Sequence, residues 1–293
     1  MKILKWALKI VGGLAVLLAL VIGFLVWRSG SRIDRKFEVA VETVPIPTDP
    51  AALAEGHRLA SIYCAHCHKE DFGGGKFIEM PLATLDARNL TRGKGSSTGA
   101  YTDADWVRTL RHGVRPDGRS INIMPSDSFA HLSDADLGAI VGYLKGAPPV
   151  DRETRERSYT LLGKILVGAG QFDQSFPALV IDPAAPRPAA PDKGVSIAHG
   201  EYVVTSFGCR HCHGDDFSGR KPGDPDSPFA PNLTQGGGLR AWNEETFLQM
   251  ARTRQSEHMP WSGLRAMSDD ELRSVWRYLS SLPPKATPGE KKV

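Results

Sequence analysis

Residues 10–27 read IVGGLAVLLALVIGFLVW, eighteen positions without a charge, with Lys2, Lys5 and Lys9 ahead of them. A helix of that length covers about 27 Å, close to the hydrocarbon thickness of a bilayer, so the run predicts an N-terminal transmembrane helix. A secretory leader is the competing reading, but its apolar core is typically about 7–15 residues and ends at a small-x-small cleavage site. Here Arg28-Ser29-Gly30-Ser31-Arg32 follows instead, which favours a retained anchor. Beyond it the apolar positions recur at helical spacing, in AALAEGHRLASIY, YTDADWVRTLRHG and LSDADLGAIVGYLKGAPP. The same succession returns as SIAHGEYVVTSFG, WNEETFLQMARTR and MSDDELRSVWRYLSSLPP. The last helix of each set opens on Ser-x-x-Asp/Glu, at Ser133/Asp136 and Ser268/Glu271, and stops at Pro-Pro. No strand alternation stands out, so the chain reads as mainly α.

The pattern is therefore one module written twice. It divides the chain into an anchor (1–30), a tether (31–50), a first module (51–149), a connector (150–191), a second module (192–284) and a flexible tail (285–293). Within the connector, DRETRERSYTLLGKILVGAGQF is read as a helix with its apolar side on a module. DPAAPRPAAP is a semi-rigid Pro-rich spacer.

Composition narrows the chemistry. A formal net charge of +3 over 293 residues, without a basic run interleaved with aromatics, gives no reason to expect nucleic acid. The chain has four cysteines, all within CAHCHKEDFGGGK, from Cys64, and CRHCHGDDFSGRK, from Cys209. None is left for a structural disulfide or a nucleophile. A zinc site needs two such pairs close together in sequence, and a thioredoxin-like pair needs a βαβ setting; both conditions fail here. The histidine after each pair points to c-type haem attachment. Cys64 and Cys67, and Cys209 and Cys212, would add to the haem vinyl groups, while His68 and His213 would each give an imidazole to the iron.

The sixth iron position decides between catalysis and electron transfer. Met124 and Met259 each precede a proline, lie nine residues before the capping serine, and lie nineteen before Tyr143 and Tyr278. That shared register favours them as axial thioethers over gap-filling core methionines. Met80 also precedes a proline, but Pro225 stands at the aligned position, so Met80 is read as a loop residue. His258 and His112 are rival ligands; module one has Ile123 where module two has His258. His66 and His211 are read as local packing or surface residues, and His57, His131 and His199 carry no signal. Asn89-Leu90-Thr91 and Asn232-Leu233-Thr234 are formally glycosylation sequons, but matched between haem ligands they read as loop turns lining the haem edge, with Asn or backbone N–H reaching the propionates. Arg108, Arg111, Arg115, Arg119, Arg252 and Arg254 are candidates to neutralise those propionates.

Across 51–149 and 192–284 the chain resembles membrane-anchored bacterial dihaem cytochromes c, with two domains similar to the class I cytochrome c fold. The resemblance rests on Cys-x-x-Cys-His, Asn-Leu-Thr, the acidic-start helix, Met-Pro and the terminal Tyr-Leu helix. It implies two tandem cytochrome c-like domains, two covalent haem c groups, and axial pairs His68/Met124 and His213/Met259. It implies electron transfer between redox proteins: a periplasmic dehydrogenase, a respiratory complex or a terminal oxidase. It also implies a single-pass protein of the bacterial inner membrane with its haem domains in the periplasm. A dihaem peroxidase or thiosulfate dehydrogenase is the enzymatic alternative, but the matched methionines offer no iron that opens. Between His68 and Met124 the first module is ten residues longer than its counterpart, which suggests a docking surface there.

Overall fold

The computed structural model describes residues 2–186, 189–222, 227–256 and 258–289. Helix α1 (Lys2–Ile33) leads into α2 (Pro50–Tyr63), α3 (Ala65–His68), strands β1 (Gly75–Glu79) and β2 (Ala83–Ala87), α4 (Asp103–His112), α5 (Ser126–Phe129) and α6 (Asp134–Gly146). The connector contributes β3 (Ser158–Tyr159) and α7 (Leu161–Ala169). The second module holds α8 (Ile197–Ser206), α9 (Cys209–His213), α10 (Glu244–Thr253), α11 (Trp261–Ala266) and α12 (Asp269–Ser281). The fold is mainly α, as the periodicity predicts. Met1, Arg187 and Pro188 of the Pro-rich spacer, Pro225, and Glu290–Val293 of the tail lie outside the described residues.

Each module is built on a crossed pair, α2 on α6 and α8 on α12. Leu59, Ile62, Leu137, Ile140 and Leu144 fill the first contact; Val203, Val204, Leu272, Val275 and Leu279 fill the second. Backbone approach sets both crossings. A methyl group on Gly56 would lie 2.0 Å from the Ala139 carbonyl oxygen, and one on Gly200 1.9 Å from that of Ser274. Only glycine permits helices this close. The matched pair Gly56/Gly200 was available in the repeat but carries no chemistry, so motif reading passes over it.

The two modules share one hydrophobic cluster. Tyr63, the residue before Cys64, packs edge-on to Phe129 and tilted against Phe207, and its hydroxyl lies 2.9 Å from the Ser206 hydroxyl. Arg58 of α2 holds Glu271 of α12 with two hydrogen bonds, at 2.6 and 3.0 Å, and also bonds Glu55 on its own helix. The interface alters one expected cap. Ser268 and Glu271 form the full capping box, but the Ser133 N–H donates instead to the Tyr202 hydroxyl, 3.0 Å away. That hydroxyl in turn donates to Asp136. Tyr202 of the second module has thus taken the place that Asp136 would fill in an isolated helix.

Two expectations need correction. The extra length of module one contains an antiparallel hairpin, β1 with β2, extended by β3 from the connector through Ala83↔Tyr159 and Thr84↔Ser158. Its strands are short, and a register shift between Lys76 and Ile78 breaks the alternation that would have marked them. The connector helix, for its part, is limited to α7 and packs mainly on α1, touching module one where Gly163 meets the Leu82 carbonyl in the β1–β2 turn. Thr160 caps it, and Gly170 in the left-handed region ends it.

Hydrogen bonding to Arg58 holds the Glu55 carboxyl down to about 2 against the opposing effect of its burial. A group whose folded pKa is depressed contributes stability above its unfolded pKa and loses it as pH falls through the folded one. The gap in unfolding midpoint between wild type and Glu55→Gln is therefore expected to be constant above about pH 5 and to close toward about pH 2. Denaturant titrations at a series of pH values measure it; a gap unchanged down to that limit would contradict the assignment.

Candidate haem site

Cys64 is at once the last cap of α2 and the first residue of the next turn. Its N–H donates to the Ala60 carbonyl at 2.8 Å, and its own carbonyl accepts from the His68 N–H at 2.9 Å. Helical geometry then places Cys64, Cys67 and His68 on one face, at i, i+3 and i+4. All three line a cavity of about 500 Å³. The His68 ring nitrogen Nδ1 lies 2.7 Å from the Arg88 carbonyl oxygen and so donates to it, leaving Nε2 as the free nitrogen. Burial pushes the His68 pKa down, which keeps the ring neutral and its lone pair available.

Met124 reaches the same cavity from the loop between α4 and α5, beside Tyr101, Trp106, Leu110 and Phe129. The loop is held on both sides. Ile123 adopts a left-handed conformation, φ 63°, and its N–H donates to the Ser175 carbonyl at 2.8 Å. The Ser126 hydroxyl donates to the Thr109 carbonyl at 2.9 Å. A β-branched residue at positive φ is a strained choice, and such strain gathers where a neighbouring side chain must be aimed.

The second module repeats the local pattern on α9. The His213 Nδ1 lies 2.8 Å from the Pro231 carbonyl oxygen, His213 is buried, and Met259 is half-buried against the shared core. Arg210 lies over the Phe217 ring, 4.7 Å from its centroid, and donates to the Tyr278 hydroxyl.

The four cysteines are unpaired. Burial pushes the Cys64 and Cys209 thiols up to about 12, Cys67 to about 11, and Cys212 upward as well. A redox dithiol or thiolate ligand requires the opposite shift. Among the described residues no three His, Cys, Asp or Glu side chains converge as a metal site. Two thiols a turn apart, a neutral imidazole with one free nitrogen, a thioether and an apolar cavity together fit a covalently attached haem.

Of the arginines singled out in the sequence, Arg115 and Arg119 line the cavity. Arg108 pairs with Asp105, Arg111 is buried with Glu42 and Asp134, Arg252 bonds Asp269, and Arg254 lies over Trp261. Sequence reading missed Arg88, Arg155 and Arg157, which also line it. Arg157, in the connector, bonds the Ser120 carbonyl, the Asn122 side chain at 2.6 Å and the Ile33 carbonyl at 3.0 Å. Burial pulls its pKa down, helped by Arg115 and Arg119, and among the described residues no carboxylate pairs with it. An uncompensated guanidinium at this rim suits the propionates of a haem.

The rival ligands go elsewhere. His112 is buried 2.9 Å from Glu42, His211 lies 2.6 Å from Asp127 across the module interface, and His258 is exposed. Met80 sits in the β1–β2 turn, with Met80 and Ala83 exchanging backbone hydrogen bonds. The first Asn-Leu-Thr turn lines the cavity through Leu90, whereas its asparagine and threonine turn away from it. Asn89, 0% exposed, donates to the carbonyls of Val150 and Arg152, and its oxygen accepts from the Thr91 N–H and hydroxyl. Asn232, 3% exposed, does the same with Lys285 and Thr234. These side chains are staples, and buried asparagines are not glycan acceptors.

Residues 51–144 and 195–279 match the family described as cytochrome c oxidase, cbb3-type, subunit III. The chain is similar to the alcohol dehydrogenase (quinone) cytochrome c subunit of Gluconacetobacter polyoxogenes, 29% identical over 80% of this chain and 57% of that one. The gluconate 2-dehydrogenase cytochrome c subunit of Pantoea cypripedii is 27% identical over 76% and 57%. A dihaem cytochrome c-type protein of Cereibacter sphaeroides is 25% identical over 58% and 62%. The chain thus spans little more than half the length of the dehydrogenase subunits that it matches.

Asn89→Ala takes the amide donor from the Val150 and Arg152 carbonyls and leaves the Thr91 N–H without its acceptor in a buried turn. The substitution is expected to lower unfolding free energy by about 1–3 kcal/mol, read from denaturant titration. An unchanged midpoint would show that the staple holds nothing.

Proposed function

Because the chain belongs to the cytochrome c family described as cbb3-type oxidase subunit III, we propose that it carries two haem c groups, one in each module, and works as an electron carrier. The first would be held by Cys64 and Cys67 between His68 and Met124. Cys209 and Cys212 would hold the second, between His213 and Met259. The matched pair of imidazoles, each with Nδ1 bonded to a backbone carbonyl, is the observation that carries this reading.

A bound haem supplies one-electron iron chemistry, and the protein's part is to set its potential and surroundings. The carbonyls of Arg88 and Pro231 fix the imidazole tautomer and strengthen Nε2 as a donor. Met124 and Met259 offer soft thioethers, which favour the reduced state and raise the potential. With the sixth position filled, no substrate position is left on the iron, so transfer is favoured over peroxidase or thiosulfate chemistry. Arg157 and Arg115 would face the propionates, and the apolar wall of Tyr101, Trp106, Leu110 and Phe129 keeps water from the ligand bonds.

The partners are redox proteins. The dehydrogenase subunits among its relatives support a dehydrogenase as donor, with a respiratory acceptor downstream. Helix α1 would serve as a single-pass anchor, with its lysines inside and both modules in the periplasm. Its apolar stretch is not buried by the rest of the chain, whereas its C-terminal third is integrated into the fold. Arg28 donates to the Gly168 carbonyl at 2.5 Å and Arg32 pairs with Asp173, which supports retention over cleavage.

Replacing Met259 with Ala should open the sixth position of one iron and lower its potential while both haems stay attached. Potentiometric titration followed optically, with haem content per chain measured alongside, reads both effects. Two potentials unchanged from wild type would reject Met259 as a ligand.

A further inference from the structure

We propose that α7 and the turn between β1 and β2 form a second membrane contact, seating module one on the lipid surface beside α1. The inference rests on the reading of α1 as an anchor. It starts from where α7 touches that helix. A methyl group on Gly168 would lie 2.0 Å from the Leu25 carbonyl oxygen, so the two backbones are in contact. Leu25 lies inside the uncharged run 10–27, the part that must sit in hydrocarbon if α1 spans. Any placement of α1 in a bilayer therefore brings α7 to its boundary.

What α7 then exposes is apolar. Leu161 and Leu162 are 62% and 53% exposed, unusual for adjacent leucines on a folded surface. The Thr160 hydroxyl and N–H bond the carbonyls of Pro81 and Leu82, which joins the β1–β2 turn to the start of α7. Met80, exposed, extends the patch onto the hairpin, whereas the nearby Phe77 lines the cavity. Lys76, Lys164, Arg35 and Lys36 are exposed nearby in the chain, with Asp34, Glu38 and Glu79 as the opposing charges. Apolar side chains bordered by cations are the composition of a surface that enters the headgroup layer of an anionic bilayer. Continuity with a spanning helix identifies lipid as the occupant.

Module one would then be fixed, not merely tethered. Asp34 pairs with Arg119, the Phe37 N–H donates to the Gly118 carbonyl, and Arg157 ties the Ile33 carbonyl to Asn122. Arg119, Asn122 and Arg157 all line the cavity. Its basic rim is thereby held close to the membrane end of α1, which makes module one the membrane-proximal redox site.

The test uses the full chain in phosphatidylcholine–phosphatidylglycerol vesicles that contain a phosphatidylcholine with a diazirine in its acyl chain. After photolysis, tryptic peptides are searched for lipid adducts by mass spectrometry. Peptides 158–164 and 77–88 should carry adducts severalfold above peptide 241–252, and peptide 10–28 should carry them too. Joint Leu161→Gln and Leu162→Gln substitution should reduce adducts on 158–164 while leaving those on 10–28. Labelling of 10–28 with 158–164 and 77–88 at the level of 241–252 would overturn this contact and leave the anchor standing. No labelling of 10–28 would overturn the anchor, and the contact with it.

Discussion

A hydrogen bond from a buried imidazole to a backbone carbonyl is the constraint on which the rest of the structure depends. In module one it joins His68 to Arg88, and in module two His213 to Pro231. It fixes which ring nitrogen carries the proton, and so which one would be left to bind iron in the proposed haem site. The bond is only as rigid as the loop that offers the carbonyl. Arg88 is followed by Asn89, whose amide grips the chain just after α6; Pro231 is followed by Asn232, which grips the chain just after α12. A line of contacts therefore runs from the last helix of each module through an asparagine to the histidine. The shared backbone bonds account for the recurrence of those asparagines.

The second consequence concerns how the modules are joined. Several of the groups that bridge them are chain neighbours of the proposed ligands. Tyr63 precedes Cys64, Asp127 lies three residues after Met124, and His211 lies between Cys209 and Cys212. Movement at the interface would be felt at both sites, so the packing would hold the two proposed haems in a fixed arrangement. The connector adds a third tie, since Arg157 reaches both the end of α1 and the loop that carries Met124. Helix α1, connector and first site are one mechanical unit.

Much of this was legible in the sequence. The helices, their caps and the duplicated motif follow from periodicity and from residue types with few alternative uses. Cys-x-x-Cys-His is specific because each residue has a separate chemical task. What stayed hidden depends on long-range contact. The β1–β2–β3 sheet is irregular and receives its third strand from the connector, far away in sequence. Arg157 lies in a charged run that reads as solvated, and only the fold shows it half-buried with no carboxylate bonded to it among the described residues. Tyr202 replaces Asp136 at a cap because the second module is docked there, which no local pattern contains. The apolar side of α7 was visible, but its partner, α1, was not.

The central claim is that each of two irons is bound on both faces, by an imidazole nitrogen and a thioether sulfur. The most direct test is the electron paramagnetic resonance and near-infrared magnetic circular dichroism of the resting ferric protein, with haem content measured per chain. The account predicts two low-spin haems per chain, both with the charge-transfer signature of histidine–methionine ligation. A high-spin iron with water bound, or a single haem per chain, would contradict it.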